Sequence, residues 1–139
     1  MSEHDPNTSC RILLADDNED NRRLSLRQLK RLGYEADAVC NGAEALSLLV
    51  TDSKYDLVLM DCLMPEMDGY TASEELRRME GTHRHTVIIA LTASNTDEDR
   101  THCFASGMDD YIAKPIRIDT LKSALEHWLP PRQPANSGL

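Results

Sequence analysis

Five short apolar runs recur along the chain, each followed by a stretch of helical length, and this alternation limits what the chain can become. Arg11–Ala15 (RILLA), Leu57–Met60 (LVLM) and Val87–Leu91 (VIIAL) are strong runs; Glu35–Val39 and Asp110–Ala113 are weaker. The strong runs are continuously apolar rather than alternating, so they are expected to be buried on both faces. Between them lie Asp20–Leu32, closed by Gly33; Gly42 to Val50, capped by Asn41; Tyr70 to Met79, after a loop marked by Pro65 and Gly69; Thr96–Ser106, closed by Gly107; and Ile118–Leu129, stopped by Pro130 and Pro131. Ser, Thr, Asn and Asp before a helix and Gly after it are the usual punctuation. Five strand–helix pairs predict an α/β domain, a parallel sheet with helices on both faces and right-handed crossovers.

A chain of 139 residues suits one such domain. Residues 1–9 read as a disordered leader, 10–129 as the domain, and 130–139 (PPRQPANSGL) as a flexible tail or linker stub. With aromatics at only 4%, the core falls to Leu, Ile, Val, Ala and Met. The net charge of −9 argues against nucleic acid as a direct partner, and against an anionic membrane surface. No apolar run approaches the length of a membrane span, and the start lacks the layout of a signal peptide, so the cytoplasm is the expected compartment. Cys10, Cys40, Cys62 and Cys103 are scattered without a C-x-x-C pair, which argues against zinc and against a disulfide framework. Cys40, Cys62 and Cys103 sit among apolar neighbours and read as small core residues. The histidines show no ligand spacing; His83 and His85 read as exposed loop residues.

The residues leaving the strand ends are more informative. In an open parallel sheet, sites form beyond the carboxyl ends of the strands. The first strand delivers Asp16 and Asp17, the third Asp61, the fourth Thr92, and the fifth Lys114 followed by Pro115. Each is ordinary alone: a strand-end aspartate is often a helix cap, a lysine usually surface. Together, and in order, they form an acid–hydroxyl–amine set. Three gathered carboxylates repel one another and raise each other's pKa. A divalent cation removes that penalty, and oxygen ligands suit Mg²⁺, with Mn²⁺ as a substitute. Three carboxylates, one divalent cation and Lys114 sum to zero charge, a neutral cradle for a phosphoryl group. The implied chemistry is in-line transfer to an Asp61 oxygen.

The stretches LLADDNEDN, VLMDCLMPEMDGY, VIIALTAS and GMDDYIAKPI together resemble the receiver domain of two-component response regulators, most closely the receivers attached to hybrid histidine kinases. The resemblance spans Arg11 to Leu129. It implies a flavodoxin-like (βα)5 three-layer sandwich with sheet order 2-1-3-4-5. It implies Asp61 as phosphoacceptor, Asp17 as direct metal ligand, Asp16 as a ligand mainly through water, and the backbone carbonyl of Leu63 as a further ligand. Thr92 would bond the phosphoryl group, Lys114 would pair with it across a cis Lys114–Pro115 bond, and Tyr111 would be the switch aromatic that turns inward as Thr92 moves. The implied partner is a histidine kinase or a histidine phosphotransfer protein. The resemblance leaves open a homodimer, and whether the chain is free-standing or part of a hybrid kinase.

Val87 stands where many such receivers have proline, without consequence for the chemistry. Leu63 is apolar and cannot orient an attacking water, so slow hydrolysis of the phosphoaspartate is expected. Leu26, read as lying off the apolar stripe of Leu24, Leu29 and Leu32, is a candidate contact for the phosphodonor. Competing functions fit less well. A flavin-binding protein of this fold needs a hydroxyl-rich loop where this chain has DDNED; an aspartate-nucleophile phosphatase needs a second Asp at the position of Leu63; a P-loop hydrolase needs G-x-x-x-x-G-K-[ST], which is missing.

Overall fold

The computed structural model describes residues 10–51, 54–94 and 96–130. The expected leader and nearly all of the expected tail lie outside them. Strands β1 (Arg11–Ala15), β2 (Glu35–Val39), β3 (Leu57–Asp61), β4 (Val87–Thr92) and β5 (Asp110–Ala113) alternate with helices α1 (Glu19–Arg31), α2 (Gly42–Thr51), α3 (Gly69–Glu80), α4 (Asp97–Ala105) and α5 (Ile118–Trp128). The strands form one parallel sheet of order β2-β1-β3-β4-β5, the flavodoxin-like arrangement that the family resemblance implied. The bounds depart from the sequence reading by about one residue at helix ends, where capping residues such as Thr96 flank the helix proper.

Successive residues of a buried strand face opposite layers, and the core divides accordingly. Ile12, Leu14, Leu57, Leu59, Ile89 and Leu91 pack with Leu29 of α1 and Leu121 and Leu125 of α5. Leu13, Val58, Met60 and Ile88 pack with Ala45 and Leu49 of α2, Ala72 and Leu76 of α3, and Cys103 of α4. Every residue of β3 is buried, so truncating Leu59 to alanine would cost about 2–5 kcal/mol. The edge strands β2 and β5 are half-buried. On β2, Asp37 takes hydrogen bonds from the Tyr55 hydroxyl at 2.7 Å and from Arg11 at 2.8 Å, which outweigh its burial and keep its carboxyl below the ordinary value.

Two sequence readings need correction. Leu26 is half-buried and packs against the core, whereas Leu24 is 44% exposed. Helix geometry explains this: Leu24 lies about 140° around the helix from Leu29, but Leu26 only about 60°. Cys40 is exposed, not core: it lies just past the end of an edge strand.

The N-terminal end of β4 is tied by ion pairs. The Arg77 guanidinium donates at 2.8 Å to each of Glu80 Oε1, Asp109 Oδ2 and the Gly107 carbonyl. Glu80 Oε2 accepts from the Thr86 amide at 3.0 Å and its hydroxyl at 2.6 Å, and Asp109 Oδ2 accepts from the Ile88 amide at 2.8 Å. This joins the end of α3, the start of β4 and the turn before β5. No helix among the described residues is long and apolar enough to cross a membrane.

Candidate functional site

Sheet register brings the strand-end residues together. Ala15 pairs with Met60, so Asp16 and Asp61 emerge side by side. Thr92 pairs with Ala113, so Lys114 emerges beside Thr92. The Lys114 amide donates to the Thr92 carbonyl at 2.7 Å, and the Lys114–Pro115 peptide is cis. The α3 helix presses on the same spot: a Cβ at Gly69 would lie 2.2 Å from the Asp61 carbonyl oxygen.

Asp16, Asp17 and Asp61 each place a carboxylate oxygen within 4.8 Å of the others. Asp16 is fully buried, Asp61 is 6% exposed, and Asp17 opens to solvent. Lys114 Nζ donates to Asp61 Oδ2 at 2.8 Å and stands 3.5 Å from Asp16 Oδ2. Asp16 Oδ1 accepts from the Asn18 amide at 2.9 Å, but its Oδ2 is buried without a hydrogen bond. Asp61 Oδ1 accepts from the Leu63 amide at 3.3 Å, and the Leu63 side chain is 71% exposed.

The electrostatics agree with the geometry. Burial raises the Asp61 carboxyl above its ordinary value; Lys114 and the Leu63 amide pull it back and the Asp16 charge pushes it further, with the net upward. Burial alone would lower the Lys114 ammonium, but its bond to Asp61 and the charges of Asp61 and Asp16 outweigh it and the net is again upward. Both partners therefore hold their protons tightly, Asp61 chiefly through burial and Lys114 through the carboxylates beside it. A buried carboxylate oxygen without a hydrogen bond and three convergent carboxylates fit a hard divalent cation.

Thr92 is buried, and its hydroxyl is engaged with the backbone of Ser94, donating to its carbonyl at 3.0 Å and accepting from its amide at 3.1 Å. Tyr111, on edge strand β5, is half-buried and accepts a hydrogen bond from Arg100 of α4 at 3.0 Å.

Sequence reasoning missed part of the cleft wall. Tyr70 and His102 stack with ring centroids 3.6 Å apart, and both line the cleft with Asp61 and Lys114. Tyr70 follows the glycine of the loop motif, but nothing local in the sequence pairs it with His102 on α4. Cys62, next to Asp61, is buried with its Sγ 3.9 Å from that of Cys103. Burial pushes its thiol up to about 12, so at neutral pH it stays protonated and does not rival Asp61 as a nucleophile.

Residues 12–126 match the family model of the response regulator receiver domain. The hybrid signal transduction protein dokA of Dictyostelium discoideum is 46% identical over 118 residues, covering 85% of this chain and 7% of that protein. This chain thus spans a small fraction of the relatives it matches. Among solved structures, the receiver domain of a Pseudomonas aeruginosa sensor histidine kinase, with magnesium coordinated in its active-site cleft, superposes with a TM-score of 0.78 at 38% identity, covering 87% of this chain and 98% of that one. The receiver domain of the Saccharomyces cerevisiae regulator Ssk1, crystallised with the histidine phosphotransfer protein Ypd1, gives 0.79 at 27% identity, covering 87% of this chain and 89% of that one.

Proposed function

The chain belongs to the response regulator receiver domain family, and on that premise we propose that Asp61 is the residue through which it acts as a phosphoacceptor in two-component signalling. The observation that carries this is the placement of Lys114 Nζ between Asp61 Oδ2 and Asp16 Oδ2, at 2.8 and 3.5 Å.

An Asp61 oxygen forms the new P–O bond while the P–N bond to the donor's imidazole breaks, and that nitrogen leaves with the bonding pair. Lys114 balances charge on the transferred group. The Thr92 hydroxyl exchanges its Ser94 contacts for a phosphoryl oxygen. Asp16, Asp17, Asp61 and the Leu63 backbone carbonyl would hold Mg²⁺, with Mn²⁺ as a substitute. When bound, the ion supplies charge neutralisation at the phosphoryl oxygens. Binding of the residues above is mostly positioning and electrostatics, which is what such transfers require.

Tyr111 is the switch aromatic in this reading, turning inward as Thr92 moves. The phosphodonor is a histidine phosphotransfer protein or the histidine kinase itself, approaching near α1. The whole protein is a hybrid histidine kinase or a shorter regulator, with residues 10–129 as its receiver body. The decisive experiment incubates the protein with a small-molecule phosphodonor and Mg²⁺. Wild type should gain an acid-stable, base-labile phosphoryl group and Asp61→Asn none; equal labelling of both would end the assignment.

A further inference from the structure

Tyr111 is gripped from one side. Its hydroxyl accepts from Arg100 Nη1 at 3.0 Å, the guanidinium carbon sits 5.7 Å from the ring centre, and Phe104 meets the ring edge-on at 6.3 Å. Arg100 is in turn paired with Asp97. Arg100, Phe104 and Asp97 all belong to α4, the helix with the fewest buried residues: Cys103 is its single one. Just beyond its end, the Gly107 carbonyl is held by Arg77 at 2.8 Å. The contact of Arg100 with Tyr111 is therefore a main tie between the body of α4 and β5.

We infer that Arg100 is a positioning residue that holds Tyr111 in its present half-exposed place and so sets how readily the domain reaches its phosphorylated conformation. The inference rests on the switch role of Tyr111 given above. An inward turn of the ring carries Oη away from Arg100 Nη1, so the hydrogen bond and the cation–ring contact exist in one state only. A contact made in one state shifts the equilibrium by its own free energy. Single polar and cation–ring contacts at partly exposed positions are modest, so the effect is several-fold rather than all-or-none.

The test uses beryllofluoride, a phosphoryl mimic, titrated in Mg²⁺ and followed by the fluorescence of Trp128, whose indole donates to Asp110, the neighbour of Tyr111, at 2.7 Å. Arg100→Ala should bind beryllofluoride about three- to tenfold more tightly than wild type, as expected for losing about 1 kcal/mol from the unphosphorylated state. Mg²⁺ affinity without beryllofluoride should not change, a split that a merely structural role would not produce. In a Tyr111→Ala background the gain should vanish. Arg100→Gln, compared by thermal melt, serves if Arg100→Ala lowers stability. Unchanged or weaker binding by Arg100→Ala, with Tyr111→Ala still altering affinity, overturns the role of Arg100 and leaves the switch standing. A gain that persists without Tyr111 also overturns it. If Tyr111→Ala binds as wild type does, the switch itself fails; if wild type binds no beryllofluoride, the receiver reading fails.

Discussion

Lys114 Nζ donates to Asp61 Oδ2 at 2.8 Å, yet the carboxyl it touches still sits above its ordinary pKa. Burial outweighs the lysine. The domain without its ion is therefore strained at its own active site, and several measurable consequences come from that.

Asp61→Asn should raise the thermal midpoint in metal-free buffer at pH 7. The folded state raises the Asp61 pKa, so what Asp61 contributes is fully present below the unfolded value of about 4 and is lost as pH rises through the higher folded value. Asparagine has no charge to lose. The gap between variant and wild type should open as pH rises from 4 to 7 and close again under saturating Mg²⁺. A variant less stable than wild type at pH 7 in chelator would contradict the burial argument.

Lys114→Ala leaves Asp16 and Asp61 facing each other. Stability in chelator should fall by about 2 kcal/mol, and Mg²⁺ should restore much of it by mass action. Phosphorylation by a small donor should slow at least tenfold, because a charge aimed at the transferred group is gone. Melting curves with and without Mg²⁺, beside initial labelling rates, separate the two effects.

Leu63 reaches into solvent at the mouth of the cleft with nothing polar to offer. The phosphorylated wild type should decay over minutes or longer in Mg²⁺. Leu63→Asn should speed decay about tenfold, a barrier change of about 1.4 kcal/mol. Loss of the wild-type phosphoryl group within seconds would refute this.

Leu24 and Leu26 should part ways. Leu24→Glu changes an exposed position beside Asn21, Pro115 and Ile116; it should slow transfer from a phosphorylated histidine phosphotransfer protein with little change in melting. Leu26→Glu buries a charge against the core and should lower the melting temperature. Transfer rates and melts on both proteins give the answer directly.

The sheet and the acidic cluster were legible because each rests on local signals that agree. RILLA, LVLM and VIIAL could be nothing but buried strands once helical stretches separated them, and a parallel sheet sends its strand ends to one side. Distances between Asp16, Asp61 and Lys114 then depend only on register. The face of α1 was misjudged because three leucines outvoted Ser25, a small polar residue that is in fact buried and lets the helix sit close. Cys40 misled because apolar neighbours in sequence do not cover a residue at a sheet edge. The stacking of Tyr70 on His102 and the grip of Arg100 on Tyr111 depend on how helices settle against one another, which no run of residues spells out.

The knot of Arg77, Glu80 and Asp109 lies at the opposite end of β4 from Thr92. Strength and chemistry thus occupy separate poles of one strand. A lesion at the charged pole would show itself in a living cell as scarcity, fewer folded copies surviving quality control, while each survivor signalled at its normal pace. Dosage and speed of response can be tuned separately in this protein, simply by choosing which pole to alter.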